Sequence, residues 1–395
     1  MKIAAFLNNV VPYHRARWKA AARMTHSCDL LEITNRDEFC VLEGTESGDP
    51  AYRLHTLFPG RERSELGTSE IKKSVELWLE RERPDLLVLN GWSFSYNLVA
   101  LRWALKHGVP CVMCSESNEF DEPRSALKEF IKGRIVSLCS AGLAGGTPQA
   151  DYLVKLGLPR VSVSTGYDAV DNDYFQMKRV NQDEKELPVR YFFSCARFGK
   201  KKNLPGLIRA YARYRMMIIE TASDDLLCDL VIAGEGEERP VIEKAIRDSG
   251  TTAHVHLLGP QGYAELPAYY AKAAAFIHVS TTEQWGLVVN EAMASALPVL
   301  VSNRCGCAAD LVKEGENGWT FDPADETALA LFMAKISANE ATRLTMGQKS
   351  LEIIKDWGPE RFANGLCSAI KAAQAAPMPR LKFLDSVILW ILTRH

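Results

Sequence analysis

The stretch Thr281-Thr282-Glu283-Gln284-Trp285-Gly286-Leu287-Val288-Val289-Asn290-Glu291-Ala292-Met293-Ala294-Ser295-Ala296-Leu297-Pro298 decides how the rest of the chain reads. Before it, Ala274-Ala275-Phe276-Ile277-His278-Val279-Ser280 reads as a buried strand, and after it Pro298-Val299-Leu300-Val301 reads as another. Strand, loop, helix and strand make half of a parallel α/β sheet, where ligands bind beyond the carboxyl ends of the strands; Glu283 and Gly286 fall there. Gly286 stands at the mouth of the helix, where backbone N–H groups and the positive dipole end favour an anion. Glu283 precedes the helix and Glu291 lies within it, so the two carboxylates can touch different parts of one ligand. An ordinary amphipathic helix with one exposed Glu and one loop Glu also accounts for the spacing.

Working outward, the same alternation fills the chain. From residue 2 to about 165, strands are expected at Ile3–Leu7, Asp29–Thr34, Tyr52–Leu57, Asp85–Leu89, Pro110–Cys114, Ala141–Ala144 and Val161–Ser164. Helices are expected at about 14–24, 69–82, 96–107, 124–138 and 148–156, with Ser69 as a cap and Gly108 and Gly157 as stops. This first domain, 1–165, is Rossmann-like. Residues 166–189 are polar and without periodicity, and read as the linker. The second α/β domain spans 190–375, with strands at Tyr191–Cys195, Asp229–Ala233, Val255–Leu258, Ala275–Val279, Val299–Val301 and Trp319–Phe321, and three helices from Glu326 through Gln374. The last segment, 376–395, holds an apolar helix over 381–392. It either packs back on the first domain or lies in a membrane interface, with Lys382, Trp390 and Arg394 at the lipid boundary.

Composition narrows the class. The chain of 395 residues is too long for one typical domain, and its 47% hydrophobic and 24% charged content is that of a globular protein. A formal net charge of −2 gives no basic field for nucleic acid. Ten cysteines are scattered instead of forming a disulfide framework, which points to a reducing, cytoplasmic compartment. Cys111-x-x-Cys114 has redox spacing but sits in an apolar strand with no second pair. The N-terminal run lacks the apolar core of a signal peptide, and no segment reaches the ~20 apolar residues of a membrane span.

Other constellations carry chemistry. Arg197, Lys200, Lys201 and Lys202 follow the first strand of the second domain and precede a helix, an arrangement that suits a diphosphate or a solvated charge run. Gly234-Glu235-Gly236 follows the next strand, but alone it is a weak phosphate signal. In the first domain, Asn8-Asn9 and His14-Arg15 follow the first strand, and Glu116, Glu119, Asp121 and Glu122 cluster after the fifth. Arg15, Lys19 and Arg23 line one helical stripe, and Lys128, Lys132 and Arg134 another. Asp171-x-Asp173 has metal-motif spacing but lies in the linker, and His107, His254, His256 and His278 show no metal spacing.

Glu283, seven residues and Glu291, enclosing Trp285-Gly286-Leu287-Val288-Val289 and followed by Ala-Met-Ala and a Pro-led strand, resemble the donor-site motif of the retaining GT-B glycosyltransferases of family four. The resemblance is specific over 190–320 and architectural elsewhere. It implies two Rossmann-like α/β/α domains facing each other across a cleft, and retaining transfer of a sugar from a nucleotide-diphosphate sugar, UDP-sugar favoured, to a glycan or lipid-linked acceptor. The roles it implies are Glu283 on the sugar, Glu291 on the ribose, Arg197 and Lys202 as the diphosphate clamp, and Gly234, Gly236, Gly259, Trp285, Gly286, Leu287, Val288 and Gly306 around the donor. Asn9, His14, Arg15, Glu119 and Asp121 fall on the acceptor side. The family's Gly-rich first loop and its His-Asp pair are absent here. No metal or other cofactor is implied. Cell-surface polysaccharide or glycolipid synthesis and peripheral contact with an anionic membrane are implied by family habit. A nucleotide-sugar epimerase, a phosphorylase or an inactive nucleotide-sugar-binding protein on the same scaffold are the rival readings.

Overall fold

In the computed structural model, residues 1–25, 27–36, 51–177, 187–221 and 226–393 are described, and they divide into two compact units. Unit 1 comprises Met1–Ala169 and Pro359–His395; unit 2 comprises Val170–Gly358. In unit 1, β1 (Ile3–Leu7), β2 (Cys28–Glu32), β3 (Arg53–Thr56), β4 (Leu86–Leu89), β5 (Cys111–Ser115), β6 (Ala141–Ala144) and β7 (Val163–Thr165) form one parallel sheet in the order β3-β2-β1-β4-β5-β6-β7. β1 shows why: all five of its residues are buried, as a strand covered on both faces requires. Ile3, Ala5 and Leu7 join the core with Trp18 and Phe362, while Ala4 and Phe6 face Trp78 and Leu79.

In unit 2, β8 (Tyr191–Cys195), β9 (Asp229–Ala233), β10 (Val255–Gly259), β11 (Ala275–His278), β12 (Val299–Ser302) and β13 (Gly318–Phe321) form a second parallel sheet, in the order β10-β9-β8-β11-β12-β13. Every strand expected from the sequence is present, with ends shifted by a residue or two.

Three features differ from expectation. The helix after β3 spans Thr68–Glu82 with Gly67 as its N-cap, so Ser69 lies inside it and caps nothing. The return to the first domain comes at Pro359, not 376: the helix Pro359–Ala375 belongs to unit 1. Its stripe of Phe362, Ala363, Leu366, Ala369, Ile370 and Ala373 fills the β1 core, and Phe362 meets Trp18 edge-on at 5.4 Å. Gly365 permits the approach, since a Cβ there would lie 2.2 Å from Thr165 O. The segment 166–189 is not uniformly irregular either. It carries a helix at Asn172–Met177, with Asn172 Nδ2 donating to Ile354 O at 2.8 Å within unit 2. Residues 178–186 of the expected linker and Arg394 of the expected lipid boundary lie outside the described residues.

The helix Phe383–Leu392 packs on unit 1. Leu389 enters the core beside Trp103, and buried Asp385 accepts from Arg134 Nε at 2.7 Å. No described helix is long and apolar enough to cross a membrane.

Candidate functional site

The strand order of unit 2 reverses at β8, with β9 and β10 added on one side and β11 to β13 on the other. A switch of this kind opens a crevice beyond the carboxyl ends of the strands, bordered by the loops after β8 and β11. After β8 the chain enters a tight turn at Lys200–Lys202. Asn203 then takes a left-handed φ of 51° and donates from its amide to Pro323 O at 3.0 Å, and the helix Leu204–Thr221 begins. The two loops are tied together by Thr281 N, which donates to Lys201 O at 2.8 Å.

That tie brings Lys202 to Glu283, and the ammonium pairs with Glu283 Oε2. Lys201 Nζ stands 4.0 Å from the other oxygen. His278 Nε2, at the end of β11, lies 3.4 Å from Glu283 Oε2, and Ser280 Oγ donates to the same oxygen at 3.3 Å. The Glu283 backbone is fixed on both sides: its N–H donates to Arg304 O at 3.1 Å, and Gly306 N donates to its carbonyl at 3.1 Å. Burial pushes the Glu283 carboxyl up, but the His278 hydrogen bond and the Lys202 charge outweigh it and hold the pKa well below the carboxylate range. Burial pushes His278 down, against the pull of Glu283, so the imidazole is neutral at neutral pH. The result is a fixed carboxylate bridging a cation and a neutral histidine.

Gly286, at φ 107°, opens the helix Leu287–Ala294, which has no side-chain cap. A Cβ at Gly286 would meet nothing closer than 3.6 Å, so the backbone turn, not space, calls for glycine. Leu287 and Val288 are half-buried at the helix start. Trp285 turns inward: its indole N–H donates to Asn290 Oδ1 at 2.9 Å and its ring packs on Trp357 at 5.4 Å. Its side chain is therefore a core element, and only its backbone borders the loop. Glu291 is fully buried and accepts from Tyr270 Oη at 2.7 Å.

The glycines after β9 have a steric explanation. A Cβ on Gly234 would lie 1.9 Å from Ala196 O and one on Gly236 would lie 2.6 Å from Phe198 O, so the two turns can nest only without side chains. Phe198 N donates to Glu235 O at 2.7 Å across this contact. At Gly259 a Cβ would meet nothing within 4 Å, and the demand is its φ of 74° alone. Arg197 is exposed, with Nη2 3.8 Å from Glu237 Oε2. The structure thus gathers Lys202, Glu283, Gly286 and Gly306 at one point, while Arg197 faces Glu237.

The first-domain candidates sit in unit 1. Asn9 is buried beside His14, whose Nδ1 accepts from Val11 N at 3.4 Å. Burial and the Arg17 charge push His14 down to about 3, so it is neutral. Arg15 is half-buried on the same helix, Pro12–Ala22. Glu119 pairs with Lys155 and Asp121 with Arg124, so the acidic loop after β5 is ion-paired. Asp171, in unit 2, accepts from Tyr174 N at 3.1 Å at the start of a helix, a capping role. Among the described residues no group of three His, Cys, Asp or Glu side chains could hold a metal ion. The Cys111 and Cys114 thiols are buried and pushed up by that burial, which suits core residues rather than reactive ones.

Sequence reasoning missed His278, Ser280 and Tyr270. The available signal was polarity out of place: a histidine and a serine end the apolar run Phe276-Ile277-His278-Val279-Ser280, within five residues of Glu283.

Residues 176–352 match the family described as Glycosyl transferases group 1. The chain is similar to the alpha-monoglucosyldiacylglycerol synthase of Acholeplasma laidlawii, 28% identical over 42% of this chain and 40% of that protein. It is also similar to the N-acetyl-alpha-D-glucosaminyl L-malate synthase of Bacillus anthracis, 24% identical over 51% of each. The chain thus spans about half the length, or less, of these curated relatives. Among solved structures, Anabaena HepE in complex with UDP superposes with a TM-score of 0.73 at 16% identity, covering 94% of this chain and 100% of that one. At that identity the likeness speaks for the fold, two parallel sheets with flanking helices.

Proposed function

From a GT-B chain whose residues 176–352 belong to the group 1 glycosyltransferases, we propose a retaining, metal-independent transfer of a sugar from a nucleotide-diphosphate sugar to a glycan or lipid-linked acceptor. The observation that carries the reading is the Lys202–Glu283 pair beside a glycine-opened helix at the sheet's switch point. The bond from the anomeric carbon to the diphosphate oxygen breaks, and negative charge grows on that oxygen. Lys202 has three N–H donors, so pairing with Glu283 leaves others for phosphate oxygens, and the start of the Leu287–Ala294 helix adds its dipole.

Glu283, held ionised by His278, Ser280 and Lys202, orients sugar hydroxyls; Glu291, with Tyr270 behind it, accepts from the ribose. Arg197 reaches the outer phosphate oxygens. The acceptor hydroxyl attacks on the side the diphosphate leaves, and its proton passes to the departing phosphate oxygen. The UDP held by the Anabaena neighbour favours uracil as the base. Cytoplasmic synthesis of cell-surface polysaccharide or glycolipid is the setting that suits this chemistry.

The test is a thermal-shift and nucleotide-release panel of UDP-, GDP-, ADP- and TDP-sugars in excess EDTA, on the wild type and Lys202→Ala. One donor should stabilise the wild type and release nucleoside diphosphate, and the substitution should cut release by roughly 10²–10³-fold. If no nucleotide sugar binds, the reading fails. Turnover lost to EDTA and restored by manganese would sink metal independence. Isomerisation of the donor sugar with the nucleotide still attached would indicate an epimerase instead, and phosphate-driven release of sugar phosphate a phosphorylase.

A further inference from the structure

The Phe383–Leu392 helix has its polarity inverted. Its inner side is held by Asp385, paired to Arg134, and by Leu389. Its outer side shows Phe383 at 87% exposure, Leu384 at 47%, Trp390 at 44% and Ile391 at 48%. With half-buried Val387 these positions follow the i, i+1, i+4, i+7, i+8 spacing of a single helical face. Scattered exposed apolar side chains need no explanation, but a stripe of this kind marks an interaction surface.

The surroundings of the stripe are cationic. Between this helix and Ser95–His107 lies a recess of 550 Å³, with Arg102 and Lys106 on one side and Leu381, Val387, Leu389 and Trp390 on the other. No carboxylate lines it. Arg380 and Lys382, both exposed, flank Leu381 just before the helix. Apolar side chains bordered by lysine and arginine complement a bilayer carrying negative headgroups. The acyl boundary takes the apolar side chains, the phosphates meet the cations, and an indole favours the level between. A helix of ten residues spans only about 15 Å, so it can lie along a bilayer and cannot cross one.

We infer that this face of unit 1 docks on an anionic lipid bilayer. Phe383, Leu384 and Ile391 enter the acyl boundary, and Arg102 and Lys106 take lipid phosphates at the mouth of the recess. The inference stands apart from sugar transfer, because its readout needs no nucleotide or sugar.

The experiment is flotation of the full chain with vesicles of phosphatidylcholine alone, or with about a third phosphatidylglycerol, at roughly 0.1 M and 1 M salt. The wild type should float with the anionic vesicles and bind neutral ones roughly tenfold more weakly, with high salt having a similar effect. Phe383→Glu with Leu384→Glu should lower anionic binding by roughly tenfold or more. Arg102→Glu with Lys106→Glu should lower it by a similar factor and flatten its salt dependence. Leu344→Glu, an exposed apolar position in unit 2, should change nothing. All these side chains are exposed, so melting temperatures should stay with the wild type. Wild-type binding to neither vesicle, or unchanged binding by the Phe383–Leu384 variant, overturns the inference. So does a dimer seen by light scattering that Phe383→Glu dissolves, which would assign the face to a second copy of the chain.

Discussion

Glu283 in unit 2 and Asp168 in unit 1 hold similar places, and their carboxyls are shifted in opposite directions. Each lies just beyond a parallel strand, β11 for Glu283 and β7 for Asp168, and each has a cation within 4 Å. Glu283 is held well below the carboxylate range despite its burial, because His278, Ser280 and Lys202 all come to its oxygens. Asp168 is pushed well above the usual range by burial and then by the neighbouring Glu116 carboxyl, which outweigh Arg17. Arg17 is itself committed elsewhere. Its Nε donates to Ala169 O at 2.8 Å, its guanidinium lies over Tyr167 at 5.3 Å, and its Nη2 stays 3.6 Å from Asp168. A nearby cation does not ionise a buried carboxyl unless donors reach the oxygens.

The largest test removes the cation from the ionised member. Lys202→Ala should cost roughly 10²–10³-fold in turnover, the effect of deleting one group that meets developing charge. Glu283 would stay beside His278, so the protein should keep its fold. A loss below about threefold, measured as nucleoside diphosphate release under saturating donor, would make the pair structural and remove the functional half of the contrast.

Opposite shifts imply opposite dependences of stability on pH. Between the ordinary carboxyl pKa and its raised value, native Asp168 keeps a proton that the unfolded chain releases. Its contribution is therefore present at low pH and lost as pH rises through the raised pKa. Glu283 runs the other way: its contribution is present above the unfolded carboxyl pKa and lost as pH falls towards the lowered one. Asp168→Asn should thus gain about 1–3 kcal/mol on the wild type at alkaline pH, and Glu283→Gln should lose a similar amount near neutrality, a deficit that shrinks below about pH 4. Urea midpoints across the pH range decide it, and slopes of the same sign in both variants would dissolve the comparison.

How far the sequence revealed these two places follows from their physics. The strands were legible because each is a short apolar run, and the Glu283 loop because its glycine and carboxylates lie within one continuous stretch. The partners of Glu283 were legible only in part. Lys202 lies 81 positions away and was found through its cationic cluster, whereas His278 read as part of an apolar strand. The crossover at Pro359 was visible as an amphipathic stripe, but no period says which of two similar sheets a stripe will cover. Trp285 and the Gly234–Gly236 pair were expected beside the donor; that the indole turns inward and that the two loops meet backbone to backbone could be seen only in the fold. Asp168 went unremarked, since burial and the approach of Glu116 are properties of the folded chain alone.

The loop after β5 sharpens the contrast on a smaller scale, because two of its ion-paired carboxylates differ in exposure and in the donors that reach them. The Asp121 side chain is 4% exposed; it pairs with Arg124 and accepts from Asn118 N at 3.2 Å. Arg124 in turn lies over the Tyr152 ring at 4.6 Å, so the pair clasps the loop to the helix Thr147–Lys155. Glu119 pairs with Lys155, but both side chains are more than half exposed, and water screens them. Asp121→Ala should cost about 2 kcal/mol, since it removes a buried charge-assisted pair and the acceptor of Asn118 N, although Arg124 keeps Glu129 as a second partner. Glu119→Ala should stay within about 0.5 kcal/mol of the wild type. Thermal melts rank the two, and equal losses would mean that donors and burial do not set what a carboxylate is worth here. If Glu119→Ala leaves stability intact but changes which acceptor is used, the residue keeps the acceptor-side role expected of it, because a surface ion pair alone would move neither quantity.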